Sequence, residues 1–146
     1  MIKLKIPNKI RLSLYTALFI SLVTGVIFFI MNTWVYVEGD FGLEKHPWQF
    51  SVLKTHAFSA FFIMLFYGAM WATHVQYGWR SKLSRRTGIT IVSVLGLQII
   101  SAYLLYYMAN EGMRDITRYI HLGVGLSIPL VLYVHILIAR RRYQKK

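Results

Sequence analysis

The sequence predicts an all-α integral membrane protein, a four-helix bundle with both termini in the cytoplasm. Two observations lead to this fold class. The 146 residues are 56% hydrophobic and only 15% charged, whereas average globular proteins are about 45–50% apolar and about 25% charged. The few charged residues are also spaced so that they leave four long gaps. A domain that folds in water would not show either feature.

Each gap in the charge pattern predicts one membrane-spanning helix. The stretches free of Asp, Glu, Lys and Arg run from Arg11 to Glu38, Lys54 to Arg80, Arg86 to Glu111 and Arg118 to Arg140. Each exceeds the ~20 apolar residues that cross the hydrocarbon core as an α-helix. We therefore predict a single domain over residues 1–146, with spans at approximately 12–35, 54–79, 87–109 and 117–140.

The distribution of charge predicts the orientation. Four alternating spans place three groups of basic residues on one side of the membrane: Lys3, Lys5, Lys9 and Arg11; Arg80, Lys82, Arg85 and Arg86; and Arg140, Arg141, Arg142, Lys145 and Lys146. All five acidic residues fall on the other side. The positive-inside rule makes the basic side cytoplasmic, which predicts a multi-pass protein of the bacterial inner membrane. The net charge of +12 then reflects topology and attraction to membrane lipid, without a nucleic-acid partner.

Four of the five histidines lie within or at the rim of the second and fourth spans: His56, His74, His121 and His135. Ionisable residues inside a membrane are costly and usually mark functional sites. At about 100° per residue, His56 and His74 return to one helix face, and His121 and His135 lie within about 40° of each other. The fifth histidine, His46, is interpreted as a residue of the outer loop.

The depths of these histidines predict two ligand pairs. The second and fourth spans run in the same direction, so His56 and His121 lie near the outer face, and His74 and His135 near the inner face. A bis-histidyl haem iron needs one imidazole on each side of a flat macrocycle. We therefore predict that the four histidines are metal ligands of two haem b groups. For any single histidine, an interhelical hydrogen bond is the alternative.

Other residues are candidates for contact with the cofactor. Gly125, one turn below His121, is small enough to admit a porphyrin. Arg118 on the outer side and Arg80 on the inner side are placed to pair with haem propionates, with snorkelling towards headgroups as the alternative. On the third span, Gln98 and Ser101 could contact a quinone, although helix packing explains such residues equally well.

These features resemble the di-haem transmembrane cytochromes b, including the four-helix core of quinol-oxidising complexes, and small bacterial cytochrome-b-like membrane proteins. The resemblance covers essentially the whole chain. The resemblance to the di-haem cytochromes is carried by the segment from His56 to Phe62 leading to His74, and by the spacing of His121 and His135. The resemblance to the small bacterial proteins is carried by Gly78-Trp79-Arg80 and Leu104-Leu105-Tyr106-Tyr107. The family's second helix usually has a shorter histidine spacing. The extra turn here adds about 6 Å of rise, which a tilted helix would offset.

The resemblance implies an electron-transfer protein that exchanges electrons with the quinone pool and a periplasmic redox partner protein or complex subunits. The sequence shows no catalytic dyad, nucleophile or phosphate loop. The loops are too short for a second catalytic domain, which favours a subunit or small module over a complete enzyme. The alternative is a haem-free membrane anchor or assembly subunit of a larger complex, and a reduced b-type absorbance band would separate the two. A histidine-based metal transporter is disfavoured because no carboxylate lies within a span.

Overall fold

The computed structural model describes residues 6–81 and 84–144, and in this part of the chain the predicted all-α architecture is confirmed. Helices account for nearly all of it, with one short hairpin between the first two. The helical elements are α1 (Asn8–Trp34), α2 (Trp48–Met70), a π-helical segment (Trp71–Val75), α3 (Gln76–Ser81), α4 (Arg85–Tyr107) and α5 (Glu111–Gln144). Of the basic residues used for the orientation, Lys3, Lys5, Lys82, Lys145 and Lys146 lie outside the described residues.

Four helical stretches of the described chain are long and apolar enough to cross a membrane, as predicted. They are Asn8–Trp34, Trp48–Arg80, Arg85–Tyr107 and Glu111–Arg142. The second and fourth begin earlier than the charge gaps indicated, because α2 continues through Lys54 and α5 begins at Glu111. Lys, Arg and Glu are good helix formers. A charge gap therefore marks the part of a helix that can lie in hydrocarbon. It does not mark where the helix begins and ends.

A β-hairpin that the sequence analysis did not predict follows α1. Strands β1 (Tyr36–Gly39) and β2 (Gly42–Lys45) pair antiparallel, with Gly39 opposite Gly42 and a two-residue turn between them. Gly42 has φ 117°, a backbone conformation that residues with a Cβ rarely adopt. Phe41 in the turn is 99% exposed.

The chain divides into two compact units. The N-terminal unit, of which residues 6–66 are described, contains α1, the hairpin and most of α2. The C-terminal unit begins at Tyr67 and contains the last turn of α2, the π-helical segment, α3, α4 and α5. Within the C-terminal unit, α4 packs along α5, and α3 contacts α4.

Burial in these helices is the reverse of that in a water-soluble domain. Many large apolar side chains are exposed, while residues at helix contacts include Ser101, which is 3% exposed, and Thr117, which is 8% exposed. In lipid, helices associate through close packing of small residues and through interhelical hydrogen bonds. The described helices therefore bring their polar side chains together, and the candidate site is built from such contacts.

Candidate functional site

His74 and His135 lie next to each other in the C-terminal unit. Their ring centroids are 6.3 Å apart and their ring planes are inclined by 84°. With metal–nitrogen distances of about 2 Å, two imidazoles on opposite sides of one ion have ring centres about 6 Å apart. The structure thus brings the predicted inner pair together at a separation that fits ligation of a single iron.

His74 is carried by the π-helical segment Trp71–Val75. The hydroxyl of Thr73 donates a hydrogen bond to the carbonyl of Ala69 at 2.8 Å, and such side-chain bonds compete with the regular backbone ladder. A π-helical turn is rare and often occurs at a functional site. Because its residues do not follow the α-helical angle, the 100° step used to align His56 with His74 does not hold across this segment.

His135 is oriented by Thr87 on α4. The Thr87 hydroxyl donates its own proton to the carbonyl of Ser84 at 3.0 Å, so it accepts a hydrogen bond from His135 Nδ1–H, also at 3.0 Å. A neutral imidazole with its proton on Nδ1 keeps the Nε2 lone pair for a metal. Histidine ligands characteristically donate their other ring N–H to a fixed acceptor in this way.

His74 contributes a ring nitrogen without a protein partner. Its Nδ1 atom is buried and has no hydrogen-bond partner in the described part of the chain. A buried, unsatisfied polar atom is costly and calls for an explanation such as an unseen ion or ligand. A metal bound through Nδ1 itself would provide one, whereas ligation through Nε2 would leave Nδ1 unsatisfied.

The donor set at this site is a pair of imidazoles. Among the residues described, no group of three or more His, Cys, Asp or Glu could hold a metal ion. A zinc site built from protein side chains needs at least three ligands, whereas an iron porphyrin supplies its own ring nitrogens and takes only axial ligands from the protein. The His74–His135 pair meets the second requirement.

His121 is engaged at both ring nitrogens by side chains of α4. Ser101 donates its proton to the carbonyl of Gln98 at 3.0 Å and so accepts a bond from His121 Nδ1 at 2.8 Å. The Gln98 amide nitrogen lies 3.0 Å from His121 Nε2 and donates to it. A Cβ on Gly125 would come within 3.0 Å of the same amide nitrogen, so Gln98 occupies the space that Gly125 leaves open.

His56 lies in the N-terminal unit and contacts α1. Its Nδ1 donates to the carbonyl of Ser21 at 2.9 Å and lies 3.4 Å from the Thr24 hydroxyl. The ring fits against α1 because Gly25 has no side chain, since a Cβ there would lie 2.9 Å from Cε1 of His56. The bond to Ser21 leaves the proton on Nδ1, as in a ligating histidine. The pairing of His56 with His121 stays a prediction.

Of the two arginines predicted to contact propionates, Arg118 lies two turns inside α5 and Arg80 lies in the last turn of α3. Arg118 forms an ion pair with Asp115 at 3.5 Å and lies 5.2 Å from the centre of the Tyr119 ring. Arg80 is an exposed residue of α3. Their contact with a cofactor also stays a prediction.

Sequence reasoning missed Thr87, although a signal for it was present. Thr87 directly follows Arg86, and His135 precedes Arg140, so both residues lie just inside the same predicted membrane face. A depth comparison that includes hydroxyl side chains identifies Thr87 as a candidate partner for His135.

Comparison with known proteins identified no relative: no family model, no curated protein and no solved structure matches this chain.

Proposed function

We propose that this chain is a b-type cytochrome of the bacterial inner membrane in which His74 and His135 ligate a haem b near the cytoplasmic face. The observation that carries the proposal is the 6.3 Å separation of the two ring centroids. It is supported by the hydrogen bond from His135 Nδ1 to Thr87, because that bond leaves Nε2 available as the ligand atom.

The protein's part in this function is to hold and orient the ligands. Thr87 fixes the tautomer and the direction of the His135 ring, and the π-helical segment positions His74. When bound, the haem iron supplies reversible one-electron oxidation and reduction, whose potential depends on the axial ligands, their hydrogen bonds and burial. The apolar surface of the helices keeps water from the site.

The proposal includes a second haem near the outer face, held by His56 and His121. This site is supported by the matched depths that the sequence predicts for His56 and His121 in the membrane. It is also supported by the hydrogen bond from His56 Nδ1 to the carbonyl of Ser21. Ligation by His121 requires Gln98 to release Nε2, which would also open the space at Gly125. In this proposal Arg118 and Arg80 pair with propionates.

The proposed placement in the membrane follows from the charge pattern. Both termini are cytoplasmic because the basic groups fall on one side and the acids on the other. The chain exchanges electrons with the quinone pool and with a periplasmic redox partner, as a subunit or small module. The class of the exchange partners rests on the resemblance to the di-haem cytochromes b.

The direct test is the absorbance spectrum of the purified, membrane-extracted protein. We expect a b-type band on reduction with dithionite that falls to about half in a His74→Ala, His135→Ala double variant, because the outer haem remains, and that is lost when His56 and His121 are replaced as well. The control is His46→Asn, which replaces the histidine of the outer loop. A folded, monodisperse protein without this band after expression with ample haem would contradict the proposal and favour the haem-free anchor.

A further inference from the structure

A cavity of about 310 Å³ opens in the N-terminal unit where α2 begins. Its walls are mainly apolar and include Phe28 of α1 and Phe50 and Leu53 of α2. Three polar residues, Lys45, His46 and Gln49, also line it. None of the predicted haem-contacting residues lines it. Binding cavities usually combine apolar walls with a few positioned polar groups in this manner.

Among the described residues, the ammonium group of Lys45 is held in place by neutral groups. Nζ donates to the carbonyl of Asn32 at 2.5 Å and to the Tyr36 hydroxyl at 3.0 Å, and it lies 4.2 Å from the centre of the Tyr36 ring. Lys45 has no carboxylate within 4.0 Å among the described residues, in which the ion pair is that of Arg118 with Asp115. An ammonium has three N–H donors, so Lys45 keeps one donor and its full charge for a ligand.

His46 offers a second donor of defined tautomer. The backbone N–H of Trp48 donates to His46 Nδ1 at 3.2 Å, and the N–H of Gln49 donates to the His46 carbonyl at 2.9 Å. The histidine thereby caps the start of α2. Since Nδ1 accepts, the proton of the neutral ring is on Nε2. His46 therefore presents an N–H donor at the cavity beside the cation.

The position of the cavity indicates its occupant. It lies between the end of α1 and the start of α2, at the end of a charge-free stretch where lipid headgroups meet the proposed spans. We propose that the cavity binds the phosphate group of a membrane phospholipid. Lys45 and His46 donate to phosphate oxygens, and Phe28, Phe50 and Leu53 contact the acyl chain. This inference rests on the proposed membrane insertion and not on the haem.

The test is lipid retention by the purified protein, measured by native mass spectrometry after delipidation and titration with short-chain phosphatidylglycerol. Wild type should bind one lipid per chain. Lys45→Gln should weaken binding about tenfold, because a charge-assisted hydrogen bond is lost. His46→Asn keeps a capping oxygen for α2, but its shorter side chain places no donor at the position of Nε2, so binding should weaken several-fold. Lys9→Gln, at the far end of α1, is the matched control and should bind as wild type.

Competition distinguishes a lipid from a free phosphate ion. Inorganic phosphate at millimolar concentration should not displace the phosphatidylglycerol, because it lacks the acyl contacts. Displacement would assign the site to free phosphate and overturn the lipid proposal. Equal lipid binding by wild type and Lys45→Gln would also overturn it. The haem content of Lys45→Gln should equal that of wild type, so failure of this inference is distinguishable from failure of the proposed electron-transfer function.

Discussion

The hydroxyl of Thr87 accepts a hydrogen bond from His135 Nδ1–H while donating its own proton to the carbonyl of Ser84. This chain of two bonds begins on α5 and ends at the residue that precedes α4. It leaves one arrangement for the imidazole, with the proton on Nδ1 and the lone pair on Nε2. A threonine that would otherwise be an ordinary helix residue thus determines which atom His135 can offer to a metal.

Replacing Thr87 tests this relationship. Thr87→Val keeps the shape of the side chain and removes the acceptor, so we expect haem affinity to fall roughly 10–100-fold, as for other partners of metal-bound histidines. The reduction potential should shift as well, because hydrogen bonding to an axial ligand tunes it. Thr87→Ser keeps the hydroxyl and should restore both values. Haem titration of the apoprotein and potentiometry provide the measurements, and wild-type values in Thr87→Val would refute the positioning role.

The inner ligands are tested by their removal. Either His74→Ala or His135→Ala should eliminate about half of the bound haem, since one of two bis-histidyl sites is lost, while the protein still inserts into the membrane. Haem per polypeptide is measured by pyridine haemochrome assay on purified protein. His46→Asn should retain all of it. Full haem content and an unchanged spectrum in His74→Ala would show that the pairing is wrong.

The helical architecture could be predicted from the sequence because it follows from a single strong physical constraint. A charged residue in hydrocarbon is costly, so charge gaps such as that between Arg11 and Glu38 mark helices that can span a membrane. The ends of those helices could not be predicted in this way, since helices continue beyond the hydrocarbon. The hairpin escaped prediction because its turn, Asp40-Phe41, is not one of the common hairpin signals.

The site could be predicted only in part. The depth of His74 and His135 was readable from the flanking basic residues, and the structure places the two rings together. The π-helical segment that carries His74 was not readable, because apolar periodicity was compared with the regular α-helical step alone. The hydrogen bond between Gln98 and His121 could not be predicted either, because the sequence does not show which residue a glutamine side chain contacts.

The orientation predicts the behaviour of reporter fusions. A reporter attached after Lys146 should be active if it functions in the cytoplasm, and a periplasm-dependent reporter at the same place should be silent. A periplasm-dependent reporter inserted in the turn at Asp40-Phe41 should be active, because this hairpin lies on the predicted outer side. The opposite pair of results would invert the topology.

The outer site gives the sharpest test, because two α4 side chains affect His121 in opposite ways. If His121 ligates iron, Gln98 competes for Nε2 and Ser101 orients the ring through Nδ1. Gln98→Ala should then strengthen the outer haem site several-fold, since a hydrogen bond with a net contribution of about 0.5–1.5 kcal/mol need no longer be broken. Ser101→Ala should weaken the same site. If His121 only ties α4 to α5, neither substitution changes haem content, and both reduce thermal stability.

Haem quantification decides between these cases: a stoichiometry of about two that falls to about one in His121→Ala supports the outer site. A stoichiometry of about one that neither His121→Ala nor Gln98→Ala alters would leave only the His74–His135 haem.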